Sequence, residues 1–347
     1  MKKFILKSLV FTLPFLLLHL INVLFYDVND GDLIRVGYLY SNPCSNKSIN
    51  SQFKIKKTYK QVSQIDISKE NKFNVITFGD SFSDQDSLGY QNYLAKRGFS
   101  VLDIDKSLGE NSIERLIQFA NGDFFDKVKT EYVVLETVER KFIDYAQSVK
   151  INSAVQTSSI KKNILSIPKE HKSEELDFFS ETTLKAPLSN ILYEFEDKPQ
   201  TSQTFKVRTD KNTLFSNHPD HLLFYQDDYL FLSQKNSYSA VNKANDIINH
   251  ILEILKKKNI KLILLIAPDK YDIYYPYISH QEKYQKPLFF HNLESLPKKY
   301  TLLESFKALS KAIEQKKNVY YYADTHWSPI GAEIIANEIA KEISLSQ

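Results

Sequence analysis

Two apolar runs, Tyr132-Val133-Val134-Leu135 and Lys261-Leu262-Ile263-Leu264-Leu265-Ile266, constrain this chain more than any other feature. Neither alternates polar with apolar residues. Each therefore reads as a strand covered on both faces, which is how a parallel sheet sits between helical layers. Phe73 to Phe78 and Phe99 to Ile104 read as further strands, and Asn318 to Tyr322 as a fifth. Helical stretches separate them: Ser112 to Ala120 with Ser112 as cap, Asn245 to Lys258 with Ile247, Ile248, Ile251, Leu252, Ile254 and Leu255 on one stripe, Leu302 to Lys316, and Pro329 to Glu342. This alternation predicts a three-layer αβα domain with a mostly parallel sheet of about five strands.

Other stretches stand outside the alternation. Residues 150–240 are polar, contain no glycine and read as an insertion lying over the end of the sheet. Residues 27–70, with a Ser/Asn/Lys-rich stretch from Ser41 to Ser51, read as a polar connector. The expected organisation is a membrane helix over 1–26, the connector over 27–70, and the folded domain over 71–347 with its insertion at about 150–240.

Lys2, Lys3 and Lys7 precede a segment, Ser8 to Tyr26, that contains no Asp, Glu, Lys or Arg. Its apolar part, Leu9 to Phe25, is long enough to span a bilayer core as a helix. Lysines on its amino-terminal side predict that this end stays in the cytoplasm and that everything after Tyr26 is exported. A cleaved signal peptide would look similar, but Asn22 to Asp27 lacks the small residues that signal peptidase needs, so an uncleaved anchor is expected. Ser41-Asn42-Pro43 before Cys44 is not a lipobox. That lone cysteine also excludes an intramolecular disulfide framework or a Cys-rich zinc module. A net charge of +3, from 45 Lys+Arg against 42 Asp+Glu, does not suit a nucleic-acid binder.

Chemistry concentrates at two strand ends. Gly79-Asp80-Ser81-Phe82-Ser83 follows the first strand directly, and ligands of open parallel sheets bind beyond the carboxyl ends of strands. A serine there is exposed and rigidly held, though Gly-Asp-Ser is also an ordinary turn sequence. Ala323-Asp324-Thr325-His326-Trp327-Ser328-Pro329 also lies between a predicted strand and a helix. A serine nucleophile needs a base, and that base needs an orienting partner. Asp324 can hold Nδ1 of His326 and leave Nε2 for Ser81; alone, Asp-x-His would read as a cap or a surface histidine.

These segments resemble the SGNH/GDSL-type proteins, in the branch related to the alginate O-acetyltransferase proteins AlgJ and AlgX. Gly79 to Ser83 matches that branch's serine motif, Asp324-Thr325-His326-Trp327 its Asp-x-His-Trp signature, and Ala267-Pro268-Asp269-Lys270-Tyr271 its Pro-x-Lys segment. Two departures stand out. The Asp-x-His element follows the serine here, as in ordinary GDSL hydrolases, whereas it precedes the serine in AlgJ and AlgX. The family's Gly-x-Asn-Asp block, whose Asn helps form the oxyanion hole, is replaced by Leu135-Glu136-Thr137-Val138-Glu139-Arg140.

The oxyanion donors are therefore open. The Ser81 amide is one candidate. Gly109, in a glycine block resembling the family's, is a second. Asn111 offers a side-chain amide or, alternatively, starts a helix. Arg140 could bind the acceptor or the oxyanion, or form an ion pair with Glu136 or Glu139. Other features have plainer readings. His218-Pro219-Asp220-His221 has poor metal spacing, the tyrosines at 271–277 and 320–322 suit core packing better than sugar stacking, and Lys256-Lys257-Lys258 suits a solvated helix end. No cofactor or metal is expected.

The resemblance implies a membrane-anchored, extracytoplasmic O-acyltransferase, acetyl being the family's group, that modifies a cell-surface or exopolysaccharide through Ser81, His326 and Asp324. It implies a bacterial inner-membrane protein with one span, a periplasmic catalytic domain, and an acyl donor delivered through a multipass membrane O-acyltransferase. The alternatives are a carbohydrate O-acetyl esterase with the same triad, and a non-catalytic polysaccharide-binding or scaffold subunit.

Overall fold

The computed structural model describes residues 1–27, 29–40, 46–165, 180–216 and 219–345. Cys44 and His218 lie outside the described residues. The main sheet has six strands in the order β1 (Lys60–Gln61), β3 (Val101–Ile104), β2 (Asn71–Phe78), β4 (Val128–Val138), β7 (Lys261–Ala267) and β8 (Thr301–Leu302). Every neighbouring pair is parallel.

The unbroken apolar runs follow from two-sided burial. Along β4, Tyr132, Val134 and Val138 face one core while Val133 and Leu135 face the other. Along β7, Ile263, Leu265 and Ala267 alternate in the same way with Leu262, Leu264 and Ile266. Helices Ser112–Asn121 and Tyr238–Lys256 cover one face, and helices Tyr90–Lys96, Ser305–Glu314 and Pro329–Leu345 the other. Each large aliphatic side chain so buried contributes about 1.5–3 kcal/mol. Because β2 pairs with β3 on one side and β4 on the other, its carboxyl end is the switch point of the sheet, where such folds bind ligands.

The structure departs from the sequence reading in four places. Asn318 to Tyr322 is not a strand of the sheet; Tyr320 makes one antiparallel bridge to Trp327. Its neighbours' backbone groups close a local loop instead, with Ser328 N–H donating to Val319 O and Tyr321 N–H to His326 O. The sheet is completed by the two-residue edge strands β1 and β8, too short to carry a hydrophobic signature. Asn111, not Ser112, caps its helix, its Oδ1 accepting from the amides of Ile113 and Glu114.

The expected connector is built into the domain. After α1 (Lys2–Phe25), the short helix α2 (Asp32–Gly37) buries Leu33 and Ile34. Leu33 N–H donates to Ala323 O at 3.1 Å, and Leu33 O accepts from the Thr204 hydroxyl at 2.8 Å. Lys60 and Gln61 join the sheet beside β3. The insertion contains α3 (Glu181–Leu192) and an antiparallel hairpin of β5 (Thr204–Arg208) and β6 (His221–Tyr225). The hairpin packs through Phe224 onto Tyr271, just beyond the end of β7, with ring centres 5.0 Å apart.

Candidate active site

Ser81 opens a short 3-10 turn immediately after β2, with Asp80 as its cap. Asp80 fixes the turn from three directions. Its Oδ1 accepts from Phe82 N–H at 3.0 Å, its Oδ2 from Val138 N–H at 2.7 Å, and its own amide donates to Glu136 Oε2 at 2.9 Å. The Ser83 hydroxyl also donates to Glu136, at 2.8 Å. Burial, and after it the charge of Asp80, pushes the Glu136 carboxyl well up. The departure at Glu136 from the family pattern thus supports the serine turn from below. Gly79 is demanded by space: a Cβ there would lie 1.8 Å from Ser83 Oγ. The Ser81 amide donates to no group among the described residues.

The second loop delivers a paired imidazole. His326 Nδ1 lies 2.6 Å from Asp324 Oδ1, which also accepts the His326 amide at 2.9 Å. Nε2 is buried and has no hydrogen-bond partner among the described residues. Burial alone would lower the imidazole's pKa; the Asp324 charge and hydrogen bond override it, and the net direction is up. Burial would likewise raise Asp324, but the His326 charge and hydrogen bonds hold it well below the usual carboxylate range. Lys270, from the Pro-x-Lys segment, braces this loop by donating to the carbonyls of Tyr321, Tyr322 and Asp324 at 2.8–3.1 Å. Burial pushes its ammonium down to about 7.

Aromatic packing joins the two loops. The Phe82 ring sits 4.7 Å from the His326 ring and 4.9 Å, edge-on, from Trp327. Gln85 Nε2 donates to Trp327 O at 2.7 Å. The residues adjoining Ser81 therefore touch the residues of the Asp-x-His-Trp loop, at one rim of the sheet. No hydrogen bond joins Ser81 to His326 in this structure.

Sequence reasoning missed Asp32. The first residue of α2 accepts Thr325 N–H at 2.7 Å and also the Thr325 hydroxyl, and its Oδ2 lies 3.8 Å from His326 Nδ1. Its amide donates to Asp324 Oδ2 at 3.2 Å, as does Asn46 Nδ2 at 3.1 Å. Burial, then the charge of Asp324, raises the Asp32 carboxyl. Gly31 makes this approach possible, because its φ is +156° and a Cβ would meet Ala323 O at 2.1 Å. A lone Gly-Asp in a polar stretch carries no signal of such a role.

The remaining candidates sort by their partners. Gly109 N–H donates to Lys106 O at 2.9 Å, and Asn111 spends its side chain on capping and on Tyr145 O and Ser148 Oγ. Neither offers a spare donor. The buried Arg115, unremarked in the sequence, links the carbonyls of Gly79 and Gly109. Arg140 pairs with Asp269 at 2.8 Å and Asp228 at 3.3 Å rather than with Glu136 or Glu139. Both contacts use Nη1, and among the described residues Nη2 and Nε make no hydrogen bond. His221 pairs with Asp220 at 2.5 Å. Tyr271, Tyr274 and Tyr320 are core residues.

Among the described residues, two groups bring three metal-ligand side chains within 4.8 Å of one another. In Glu139, Asp269 and Asp272 the Lys235 ammonium supplies the cation, 2.7–3.2 Å from each. In Asp32, Asp324 and His326 the ligand atoms already engage one another and Thr325.

Residues 219–347 match the family described as ALGX: SGNH hydrolase-like domain, acetyltransferase AlgX. That stretch holds Lys270, Asp324 and His326; Ser81 lies outside it. A protein of Pseudomonas syringae pv. tomato described as "Probable alginate O-acetylase AlgJ" is 26% identical over 143 residues, which is 38% of this chain and 35% of that protein. The match thus spans about a third of the relative's length. No solved structure matches. The chain is similar to the AlgJ/AlgX branch of SGNH-type proteins, and its α/β architecture is that of an SGNH-like domain.

Proposed function

We propose that this protein is a membrane-anchored, extracytoplasmic O-acetyltransferase acting on a cell-surface or exopolysaccharide. The observation that carries the reading is the His326 imidazole, held at Nδ1 by Asp324 with Nε2 buried and unpaired, beside the loop that bears Ser81. In this account Nε2 takes the proton of Ser81 Oγ as that oxygen attacks the donor's acyl carbonyl. The tetrahedral oxyanion is met by the Ser81 amide and by the uncommitted side of the Arg140 guanidinium. The donor's leaving group departs with the proton from His326, leaving an acetyl ester on Ser81. A sugar hydroxyl then gives its proton to the same nitrogen and attacks the ester, and His326 returns that proton to Ser81 Oγ as the serine is released.

α1 is the one helix among the described residues long and apolar enough to cross a membrane. Read as an anchor with Lys2, Lys3 and Lys7 inside, it holds the domain on the outer side of the bacterial inner membrane. A multipass O-acyltransferase in that membrane would supply the acyl group, which favours transfer over free hydrolysis. Water in place of the sugar would make an esterase from the same triad.

The test is product partition. Purified protein is incubated with an activated acetyl ester, with and without acceptor oligosaccharide, alongside Ser81→Ala. Acetylated oligosaccharide that disappears in the variant is the expected result. Acetate alone, at a rate indifferent to oligosaccharide, would remove transfer; unchanged function in Ser81→Ala would remove catalysis.

A further inference from the structure

We infer that the outer face of α3 lies in the lipid–water boundary of the same membrane that α1 crosses, making the domain a two-point membrane protein. The inference rests on the anchor reading of α1.

The face is inverted relative to an ordinary surface helix. Leu184, Leu188 and Ile191 are 56%, 47% and 61% exposed, and Phe195, in the turn that continues α3, is 82% exposed. Their spacings of four, three and four residues put them on one narrow stripe. Small or polar residues, Thr183, Ala186 and Ser189, face the protein instead. A soluble domain normally does the reverse. A continuous exposed apolar stripe marks a surface that meets something apolar.

Contact with α1 identifies the occupant as lipid. Asn22 is a fully buried polar residue in the last turn of a helix that is largely apolar and otherwise not buried. Its Nδ2 donates to Thr183 O at 3.1 Å and Thr182 O at 3.4 Å, and its Oδ1 accepts from Tyr40 at 3.4 Å. The first turn of α3 is therefore fastened about 5 Å, three helical rises, from the end of α1. Phe25 and Tyr40 lie beside this point, in ring contact at 6.0 Å. Aromatic side chains of this kind sit at headgroup level. Where α1 leaves the bilayer, the first turn of α3 stands beside that exit, and the apolar stripe spans about 10 Å of helix from Leu184 to Ile191. Amphipathic helices at such boundaries bury their apolar side about 5–10 Å deep. The same arrangement ties the site to the membrane, because α2, which supplies Asp32, lies between α1 and the insertion.

The test uses the full chain with Cys44→Ser and single cysteines, Leu16→Cys in α1, Leu188→Cys in α3 and Leu345→Cys at the far end of the last helix. Each carries an environment-sensitive fluorophore in vesicles of phosphatidylethanolamine and phosphatidylglycerol. Quenching is compared between aqueous iodide and lipids spin-labelled at a shallow acyl position. The expected result is lipid quenching at 16 and 188 and iodide quenching at 345. Iodide quenching at 188 with lipid quenching at 16 overturns the inference and leaves the anchor standing. Iodide quenching at 16 removes the anchor, whatever 188 reports. Shielding of 188 from both quenchers assigns the stripe to protein, whether a partner helix, a second copy or residues 166–179, and likewise overturns the inference.

Discussion

Replacing Asp32 by Asn removes a charge from the surroundings of the imidazole while keeping the side chain's shape and its acceptor for Thr325 N–H. Asp32 Oδ2 stands 3.8 Å from His326 Nδ1. Two unit charges at that separation interact by about 4 kcal/mol at an effective dielectric near 20 and about 1 kcal/mol in water. Asp32 keeps 26% of its side-chain surface exposed, so solvent screening pulls the value to the lower end. One pH unit corresponds to about 1.4 kcal/mol, so the His326 pKa should fall by about one unit in Asp32→Asn. The sign follows from the charge: the carboxylate favours the imidazolium, so its removal favours the neutral base. In the wild type the acid limb of kcat/KM should lie above the ordinary histidine value, because His326 is raised. In Asp32→Asn that limb moves to lower pH while the plateau drops about tenfold, since the imidazolium formed in the transition state loses its second carboxylate. Hydrolysis of an activated acetyl ester across pH reads both quantities. An acid limb that stays in place would refute the electrostatic reasoning, leaving Asp32 as loop scaffolding.

Lys235→Met leaves Glu139, Asp269 and Asp272 without their shared cation in a fully buried setting. Denaturant unfolding at about pH 8 should show a loss of roughly 3–5 kcal/mol, shrinking toward about pH 5 because Glu139 and Asp272, already raised by burial, take up protons more readily there. Gly31→Ala would force a Cβ against Ala323 O at a positive φ, so a loss of roughly 1–3 kcal/mol in stability and a matching drop in activity are expected; an unchanged melting temperature would contradict the close packing of α2 on the Asp-x-His-Trp loop.

What could be read from the sequence depended on how local the physics is. β2, β4 and β7 announce themselves because two-sided burial of their central stretches demands apolar residues on both faces. The Asp324–His326 pair is legible because the two residues lie in one loop. Asp32 and Asn46 are not, because hydrogen bonds spanning 292 and 278 residues leave no periodic trace. Tyr320 to Tyr322 mimics a strand for an instructive reason. Its rings are buried by Tyr274, Phe82 and Phe215, so the segment is as apolar as a strand while its backbone serves a loop. Asn111 illustrates competition among roles: its Nδ2 could donate to an oxyanion, yet Tyr145 O and Ser148 Oγ take that amide while its Oδ1 caps the unpaired amides of its own helix. The inverted face of α3 was hidden by its polar surroundings in sequence, and emerges only when its contact with α1 is known.

The central claim is that Ser81 is the acyl-bearing nucleophile, and peptide mass spectrometry after rapid acid quench tests it most directly. Incubation with an activated acetyl ester should place a mass gain of roughly 42 Da on the Ser81 peptide, lost on a chase with acceptor oligosaccharide and absent in His326→Ala. Turnover without any adduct at Ser81 under conditions that trap acyl-enzymes, or an adduct at another residue that persists in Ser81→Ala, would contradict the account.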